Sequence, residues 1–198
     1  YDSVHHKGIN VYFKDKLYLR PNTLAEFNYI TPNSLYNQQE IQNTYESLGR
    51  LRALKYTNIR FNEVECNDSI QLDANIVMTK EEDKSLSFEI EGTNSAGDMG
   101  TAASMTYQHR NIFKGSETFT IKLRGAYEAI TGLQEGYDNG NYKEWGIESN
   151  LNYPEFKFPF LSTEFKKRIK ASSEVGIEYN SQVRPEFTRT LAAASWSY

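Results

Sequence analysis

The sequence has one cysteine, no long apolar run and no excess of positive charge, and each of these shortages argues against a kind of structure or partner. Cys66 alone cannot form an internal disulfide. No window approaches the roughly 20 consecutive apolar residues of a membrane-spanning helix, so a helical route into a membrane is excluded. With 22 Lys and Arg against 26 Asp and Glu, the formal net charge is −4 and the pI is about 5.5. This balance argues against nucleic acid as a partner, because phosphate binding needs a basic surface.

Aromatic residues, by contrast, are abundant. The chain contains 14 Tyr and 11 Phe, and 14% of its residues are aromatic, whereas hydrophobic residues reach only 38% and the mean hydropathy is −0.68. A transmembrane β-barrel produces this mixture, because its lumen-facing positions are polar and aromatic rings girdle both membrane interfaces. The composition therefore favours a barrel wall over a large soluble core.

Residues 1–83 contain the helix signals of the chain. Thr23 and Glu26 have capping-box spacing just after Pro21, which predicts a short helix to about residue 29. Asn37 and Glu40 repeat this signal, and apolar residues then follow at helical spacing to about residue 54. The apolar stripe of this second helix consists of Ile41, Tyr45, Leu48 and Leu51.

Strands flank these two helices. Residues 8–19 alternate loosely and predict one or two strands, with a kink or turn at Asp15 and Lys16. Residues 57–61 and 70–78 alternate more regularly and predict a hairpin whose apolar face covers the helices. We expect the core of this domain to consist of Ile41, Tyr45, Leu48, Ile59, Phe61, Leu72 and Ile76.

From residue 84 onward a period-2 pattern recurs between turn signals, and it predicts six antiparallel strands of about 10 residues, the length of a tilted membrane-crossing strand. Polar residues occupy one side of successive strands, as expected beside a water-filled lumen, although a soluble sandwich has the same pattern. In the last strand, residues 187–198, Leu191 and Trp196 fall on opposite faces, so the pattern does not decide which face is apolar. The residues expected to face lipid are Phe88, Ile90, Phe119, Ile121, Leu123, Ile147 and Ile177.

The strand count is too small for a closed barrel. The smallest transmembrane barrels have about eight strands, and six are counted before the sequence ends at Tyr198. Two open edges in lipid would leave N–H and C=O groups unpaired at a cost of several kcal/mol each. We therefore expect the sequence to be part of a longer polypeptide.

No set of residues has the spacing of a catalytic or metal site. His5 and His6 point to opposite faces of a strand and cannot chelate one ion, and His109 has no cysteine or serine motif near it. Residues 138–141 carry oxygen ligands but lack the downstream carboxylate of a calcium loop. The basic run at residues 166–168 fits a solvated turn better than a headgroup contact. No nucleophile, base and orienting group occur together, so we expect a protein that is not an enzyme and has neither metal nor cofactor.

Three stretches of the strand region carry a family resemblance. Residues 87–97, 107–117 and 123–128, which include the runs SFEIEG, HRNIFKGSE and LRGAYE, are similar to the first three barrel strands of the BamA/TamA-type outer-membrane assembly factors. These proteins join POTRA domains to a surface-antigen β-barrel, and the likeness is to the form found in Bacteroidetes-like bacteria. Upstream, the strand-helix-helix-strand-strand order, which includes residues 54–61, is similar to the last POTRA domain that precedes the barrel. Residues 158–161 and 184–190 also resemble this group.

The resemblance implies both a fold and a function. It implies an α+β POTRA domain of order β-α-α-β-β at residues 1–82 in the periplasm. At residues 83–198 it implies the first antiparallel strands of an incomplete transmembrane β-barrel in the bacterial outer membrane. The family inserts proteins without covalent chemistry, by templating client β-strands at the first barrel strand, its lateral gate. The implied partners are unfolded outer-membrane protein clients, outer-membrane lipid and periplasmic or lipoprotein accessory subunits.

Two groups of residues carry this expectation. The gate strand consists of Ser85, Ser87, Phe88, Glu89, Ile90, Glu91, Gly92 and Thr93. The family turn motif consists of His109, Arg110, Asn111, Phe113, Gly115 and Glu117. Gly92 fits a gate because a strand glycine loosens packing, and it fits a β-bulge equally well. Two other functions stay open: a pore of the same superfamily that passes a polypeptide outward, and a soluble ligand-binding β-barrel with an appended α+β domain.

Overall fold

The computed structural model describes residues 1–66, 69–95, 98–130, 140–157 and 171–198. Predictions at residues 96–97, 138–139, 158–161 and 166–168 lie outside the described residues. Contacts divide the chain into two compact units. The first unit comprises Tyr1–Asp83, Arg110–Glu117 and Tyr153–Ser172, and the second unit comprises Lys84–His109, Thr118–Asn152 and Ser173–Tyr198.

The first unit begins with a β-hairpin. β1 (Asp2–His6) pairs antiparallel with β2 (Ile9–Phe13). The connection turns at Lys7 and Gly8, which both have positive φ, and glycine adopts this conformation without steric cost. The order in this unit is therefore strand-strand-helix-helix-strand-strand, one strand more than the order that the resemblance implied.

The first helix starts at a proline. α1 (Pro21–Phe27) has Pro21 at its amino end, where a fixed φ and a missing N–H suit the helix. The predicted capping box is wrong, because Thr23 lies buried inside the helix and Arg20 occupies the N-cap position without a side-chain cap. Glu26 instead accepts a hydrogen bond from Asn22 Nδ2 at 2.7 Å. The helix ends at Phe27, slightly before the predicted end.

The second helix begins where the sequence predicted it. α2 (Gln38–Gly49) has Asn37 as its N-cap, and the Asn37 side chain accepts a hydrogen bond from the Gln39 N–H at 2.9 Å. The helix ends at Gly49, so its predicted extension to about residue 54 is wrong. Neither helix of the described ranges is long and apolar enough to span a membrane.

β3 (Leu54–Cys66) and β4 (Ser69–Lys80) form the predicted second hairpin. Its strands are longer than expected, and the chain enters β3 at Leu54, directly after the buried residues that follow α2. Ile59 pairs with Ile76, which packs on the core together with Met78. One face of the hairpin thus covers the helices, as its alternating pattern predicted.

The buried core of the first unit differs in part from the predicted one. Leu48 is buried and Ile76 packs against the core, whereas Tyr45 and Leu72 are exposed at 50% and 44%, so their assignment to the core is wrong. Thr44 is buried on α2 although it is polar. Its hydroxyl can leave water because it donates to the Glu40 C=O at 2.8 Å and accepts from a backbone N–H at 3.0 Å. The core consists of Leu19, Leu24, Phe27, Leu48, Leu51 and Ala53.

The second unit is one antiparallel sheet of six strands in the order β10-β9-β8-β7-β6-β5. Its strands are β5 (Lys84–Ser95), β6 (Asp98–Arg110), β7 (Thr118–Ala129), β8 (Asn141–Tyr153), β9 (Ser173–Val183) and β10 (Thr188–Ser197). The prediction of six successive strands after residue 84 is confirmed. No pairing of β5 with β10 closes the sheet within the described residues.

Candidate functional site

β5 lies at one edge of the six-stranded sheet. It pairs only with β6 in the part of the chain that the structure describes, and the pairing runs unbroken from Lys84 opposite His109 to Ser95 opposite Asp98. The other edge of β5 meets no strand of these residues. A strand edge of this kind presents backbone N–H and C=O groups to an incoming strand, which is the mode of binding called β-augmentation.

Gly92 lies within this unbroken ladder, directly opposite Thr101. The regular register excludes a β-bulge at this position, because a bulge would set two residues of one strand against one residue of the other. A Cβ atom built on Gly92 would meet no atom within 4 Å. Neither a bulge nor crowding therefore requires glycine here, and the structural effect that is left is the looser packing of the strand.

The predicted gate residues divide between the two faces of β5. Phe88 and Ile90 lie on one face and are exposed at 68% and 85%. Glu89 lies on the other face, where its carboxylate accepts a hydrogen bond from Ser104 Oγ at 3.1 Å. Alternation along a strand produces this division. β5 thus presents an apolar face, a polar face and an edge.

The apolar face continues across the sheet. Residues directly opposite each other in an antiparallel pair lie on the same face. Such pairs are Phe88 with Met105, Leu123 with Ile147, and Ile177 with Ala194. The rings of Trp145 and Tyr179, 5.0 Å apart, continue this face from β8 to β9. Exposed large apolar side chains on it are Phe88, Ile90, Met99, Leu123, Trp145, Ile147, Ile177 and Trp196.

Burial is reversed relative to a sheet of a water-soluble protein. Ala102, on the polar face, is buried, whereas its neighbour Ala103 on the apolar face is exposed. On β9, Gly176 of the polar face is buried and Ile177 of the apolar face is 63% exposed. A soluble sheet covers its apolar face. A large exposed apolar surface of this kind marks a site of contact with lipid or with another protein.

The polar face carries its own hydrogen-bond network. The Glu144 carboxylate of β8 accepts hydrogen bonds from the Tyr142 hydroxyl, from Asn180 Nδ2 at 2.7 Å and from Gln182 Nε2 at 3.4 Å. The guanidinium of Arg184 lies 4.8 Å from the centre of the Tyr142 ring. These partners stabilise a charged group in a half-buried position.

The pairing of β10 decides the face that the sequence left open. Trp196 lies opposite Val175 and therefore belongs to the apolar face. Leu191 lies opposite Asn180 and belongs to the polar face. Alternation alone cannot assign the apolar face of a strand that has one large apolar residue on each side. The register with β9 assigns it.

The structure places the family turn motif mainly in the first unit. Asn111, Phe113, Gly115 and Glu117 belong to the connection between β6 and β7, and this connection and Arg110, the last residue of β6, are grouped by their contacts with residues 1–83. His109 belongs to the second unit, where it pairs with Lys84 at the start of β5.

Residues that hold this turn escaped sequence reasoning. Arg20 Nη2 lies 2.7 Å from Glu117 Oε1, and the Tyr18 carbonyl accepts a hydrogen bond from Asn111 Nδ2 at 2.8 Å. The Tyr18 hydroxyl donates to Asp83 Oδ1 at 2.8 Å. Burial and this hydrogen bond raise the pKa of Tyr18 well above its ordinary value, so the phenol stays a donor at physiological pH. No local pattern in the sequence marks these contacts.

The carboxylates of Glu26 and Glu155 interact in the first unit, and we expect this interaction to make its stability depend on pH. Burial, followed by the nearby charge of Glu155, raises the pKa of Glu26 above 4.5. A raised native pKa gives stability that is complete below the ordinary pKa and is lost as the pH rises through the native one. We expect Glu26→Gln to abolish this loss and to stabilise α1 at neutral pH. Hydrogen exchange of α1 amides, followed from below the ordinary pKa of Glu26 up to neutral pH and corrected for intrinsic rates, measures the effect. Glu63→Gln, an exposed control, should keep the pH dependence of the unaltered protein, and an unchanged slope in Glu26→Gln would contradict the prediction.

No cluster of three or more His, Cys, Asp or Glu side chains in the described ranges could hold a metal ion.

Comparison with solved structures gives distant likenesses, among them an outer-membrane protein. No family model matches the chain, and no curated protein matches it. The crystal structure of BamA from Haemophilus ducreyi lacking POTRA domains 1-3 matches with a TM-score of 0.40 and 11% sequence identity. The match covers 90% of this chain and 40% of that one. A likeness this low does not establish a shared fold.

Proposed function

We propose that this chain is part of an outer-membrane protein assembly factor. Residues 83–198 form the first wall strands of its barrel, and residues 1–82 form a POTRA-like periplasmic domain. The factor inserts unfolded outer-membrane proteins by templating their β-strands on β5, without covalent chemistry. Its partners are these clients, outer-membrane lipid and periplasmic or lipoprotein accessory subunits.

The reversed burial of the six-stranded sheet is the observation that carries the proposal. An apolar face that includes Phe88, Ile147 and Ile177 is exposed, while the opposite face holds a hydrogen-bonded network around Glu144. A sheet with these two faces suits a wall between two solvents, hydrocarbon outside and water inside. The strands of 10 to 13 residues match the length that crosses a bilayer at a tilt.

The edge of β5 supports the templating step. In hydrocarbon there is no water to satisfy backbone groups, so an unpaired strand edge costs several kcal/mol per group. A client strand that pairs with this edge removes that cost for both partners. Strand addition at β5 therefore needs no energy source other than the pairing itself.

Labelling of single cysteines tests the membrane placement. In a Cys66→Ser background of the full-length protein, Ile121→Cys should react with a bilayer-soluble maleimide and not with a charged one. Thr120→Cys, its neighbour on the polar face, should react with the charged reagent. Equal labelling of both positions by the charged reagent would exclude the bilayer and favour a soluble ligand-binding barrel.

Client insertion tests the function itself. The full-length protein in liposomes should accelerate the folding of an unfolded outer-membrane protein into the bilayer, measured by heat-modifiable gel mobility.

The second candidate is a polypeptide-translocating pore, which the polar network of β8 and β9 favours because it suits a water-filled lumen. A pore would deliver a polypeptide into the liposome interior without integrating it into the bilayer. Delivery without integration would replace the insertion proposal by the pore.

A further inference from the structure

The connection between β6 and β7 is fastened to two distant backbone stretches of the first unit. The Arg20 N–H, just before α1, donates to the Lys114 C=O at 2.8 Å. The Ala53 N–H, just before β3, donates to Ser116 Oγ at 2.9 Å. One short turn therefore satisfies the backbone at the start of a helix and at the start of a strand. We call residues Arg110–Glu117 the clamp turn.

A buried carboxylate lies at the centre of the clamp turn. The side chain of Glu117 is 4% exposed, and Arg20, which is half exposed, provides its counter-charge. Glu117 Oε1 is 2.7 Å from Arg20 Nη2, and Oε2 accepts a hydrogen bond from the Gly115 N–H at 2.8 Å. Both carboxylate oxygens are used. Because a buried charge without its partner is strongly destabilising, the turn can stay docked only while this pair is intact.

Asn111 closes the turn on itself and onto the first unit. Its Nδ2 donates to the Tyr18 C=O at 2.8 Å, and its Oδ1 accepts from the Ser116 N–H at 3.0 Å. Asn111, Lys114 and Ser116 all have φ near +60° to +70°. Side-chain-bearing residues keep this left-handed conformation only where the surrounding contacts impose it.

Because Gly115 has no side chain, the Arg20–Glu117 ion pair can occupy the space beside it. A Cβ atom built on it would collide with Glu117 Oε1 and Arg20 Nη2. The glycine, the two charged residues and the asparagine are therefore mutually dependent. Such a set is more than a tight turn requires, since most β-turns need one or two special residues.

We propose that the clamp turn completes the fold of the first unit, and that Arg20, Asn111 and Glu117 are the residues that hold it in place. The first unit is then a discontinuous domain, in which the start of α1 and the start of β3 are held in place by a turn that arrives from the strand region. Opening of the clamp frees these two backbone stretches and leaves the β5–β6 ladder unchanged.

Hydrogen exchange in the full-length protein tests the clamp. In Glu117→Gln, the amides of Arg20 and Ala53 should exchange at least roughly tenfold faster. Their hydrogen-bond acceptors lie in the clamp turn, and the substitution removes the ion pair that keeps this turn docked. Amides of the β5–β6 ladder should keep their rates. Lys16→Met, which removes a positive charge from the segment between β2 and α1 that also contains Arg20, is the matched control and should change neither set. Arg20→Lys, which keeps the charge and loses the fork of donors, should have an intermediate effect.

Gly115→Ala gives an independent test if Glu117→Gln does not fold. It should accelerate exchange at Arg20 and Ala53 because the added methyl group displaces the ion pair. Unchanged exchange at these two amides in Gly115→Ala, or in a folded Glu117→Gln, overturns the clamp.

Discussion

A disulfide across the outer edge of β5 is expected to stop client insertion while the fold stays intact. In the full-length protein, Glu89→Cys would be joined to a cysteine in the closing strand that the family resemblance implies. The bond would cover the row of backbone groups that an incoming strand needs, and hydrocarbon offers no other partner for that strand. The insertion rate should fall to that of empty liposomes, and reduction of the disulfide should restore it.

The sheet offers a matched control for this lock. Ser87 and Thr106 are direct partners across β5 and β6, so a Ser87→Cys/Thr106→Cys disulfide ties the paired side of β5 and leaves its outer edge open. This variant should insert clients at close to the unlocked rate. Insertion by the edge-locked protein at that same rate would exclude β5 as the templating strand.

Leu48→Ala is expected to destabilise the first unit by about 2–5 kcal/mol, the usual cost of a large cavity in a packed core. Leu48 is 1% exposed and packs in the cluster that includes Leu24, Phe27 and Leu51. The loss should appear as faster native-state exchange of the α2 amides in the full-length protein.

Tyr45→Ala on the same helix is the control for this substitution. Tyr45 is 50% exposed, so its truncation should change stability by no more than about 0.5 kcal/mol. Equal effects of the two substitutions would place Tyr45 in the core, as the apolar stripe alone predicts, and would contradict the packing described above.

The strand region was predictable because its pattern is strictly local. Alternation between turn signals determines where each strand lies, and six strands follow residue 84 in the sequence and in the structure. The start of α2 was predictable for a similar reason, since Asn37 caps the helix through a contact two residues away. What alternation cannot provide is register: the face of Trp196 depends on its pairing with Val175.

The errors in the first unit come from packing. The apolar stripe of α2 continues through Leu51 and Leu54, but the helix ends at Gly49. Leu51 contributes to the core from the turn after the helix, and Leu54 packs against the core from the start of β3. Thr44 is buried because its hydroxyl has two partners, a condition that hydrophobicity does not encode. β1 lies before the range predicted for the first strands, residues 8–19, because its sequence, DSVHH, is mostly polar and acquires its structure from pairing with β2.

The candidate site was predictable to a similar, partial degree. The edge position of the strand that begins at residue 84 follows from strand order. The opposite faces on which the side chains of Phe88 and Glu89 lie follow from alternation. The attachment of the turn motif to residues 18–20 and to Ala53 does not follow from any local pattern, because it joins segments that only tertiary structure brings together.

The ion pair between Arg20 and Glu117 spans 97 residues of sequence. Contacts between such distant residues form late, because the entropy of closing the intervening loop is lost before the contact can stabilise anything. A chain made from its amino terminus presents residues 1–83 long before the turn exists. The first unit should therefore complete its fold late, and refolding should show the amides of Arg20 and Ala53 gaining protection only after β6 and β7 have paired.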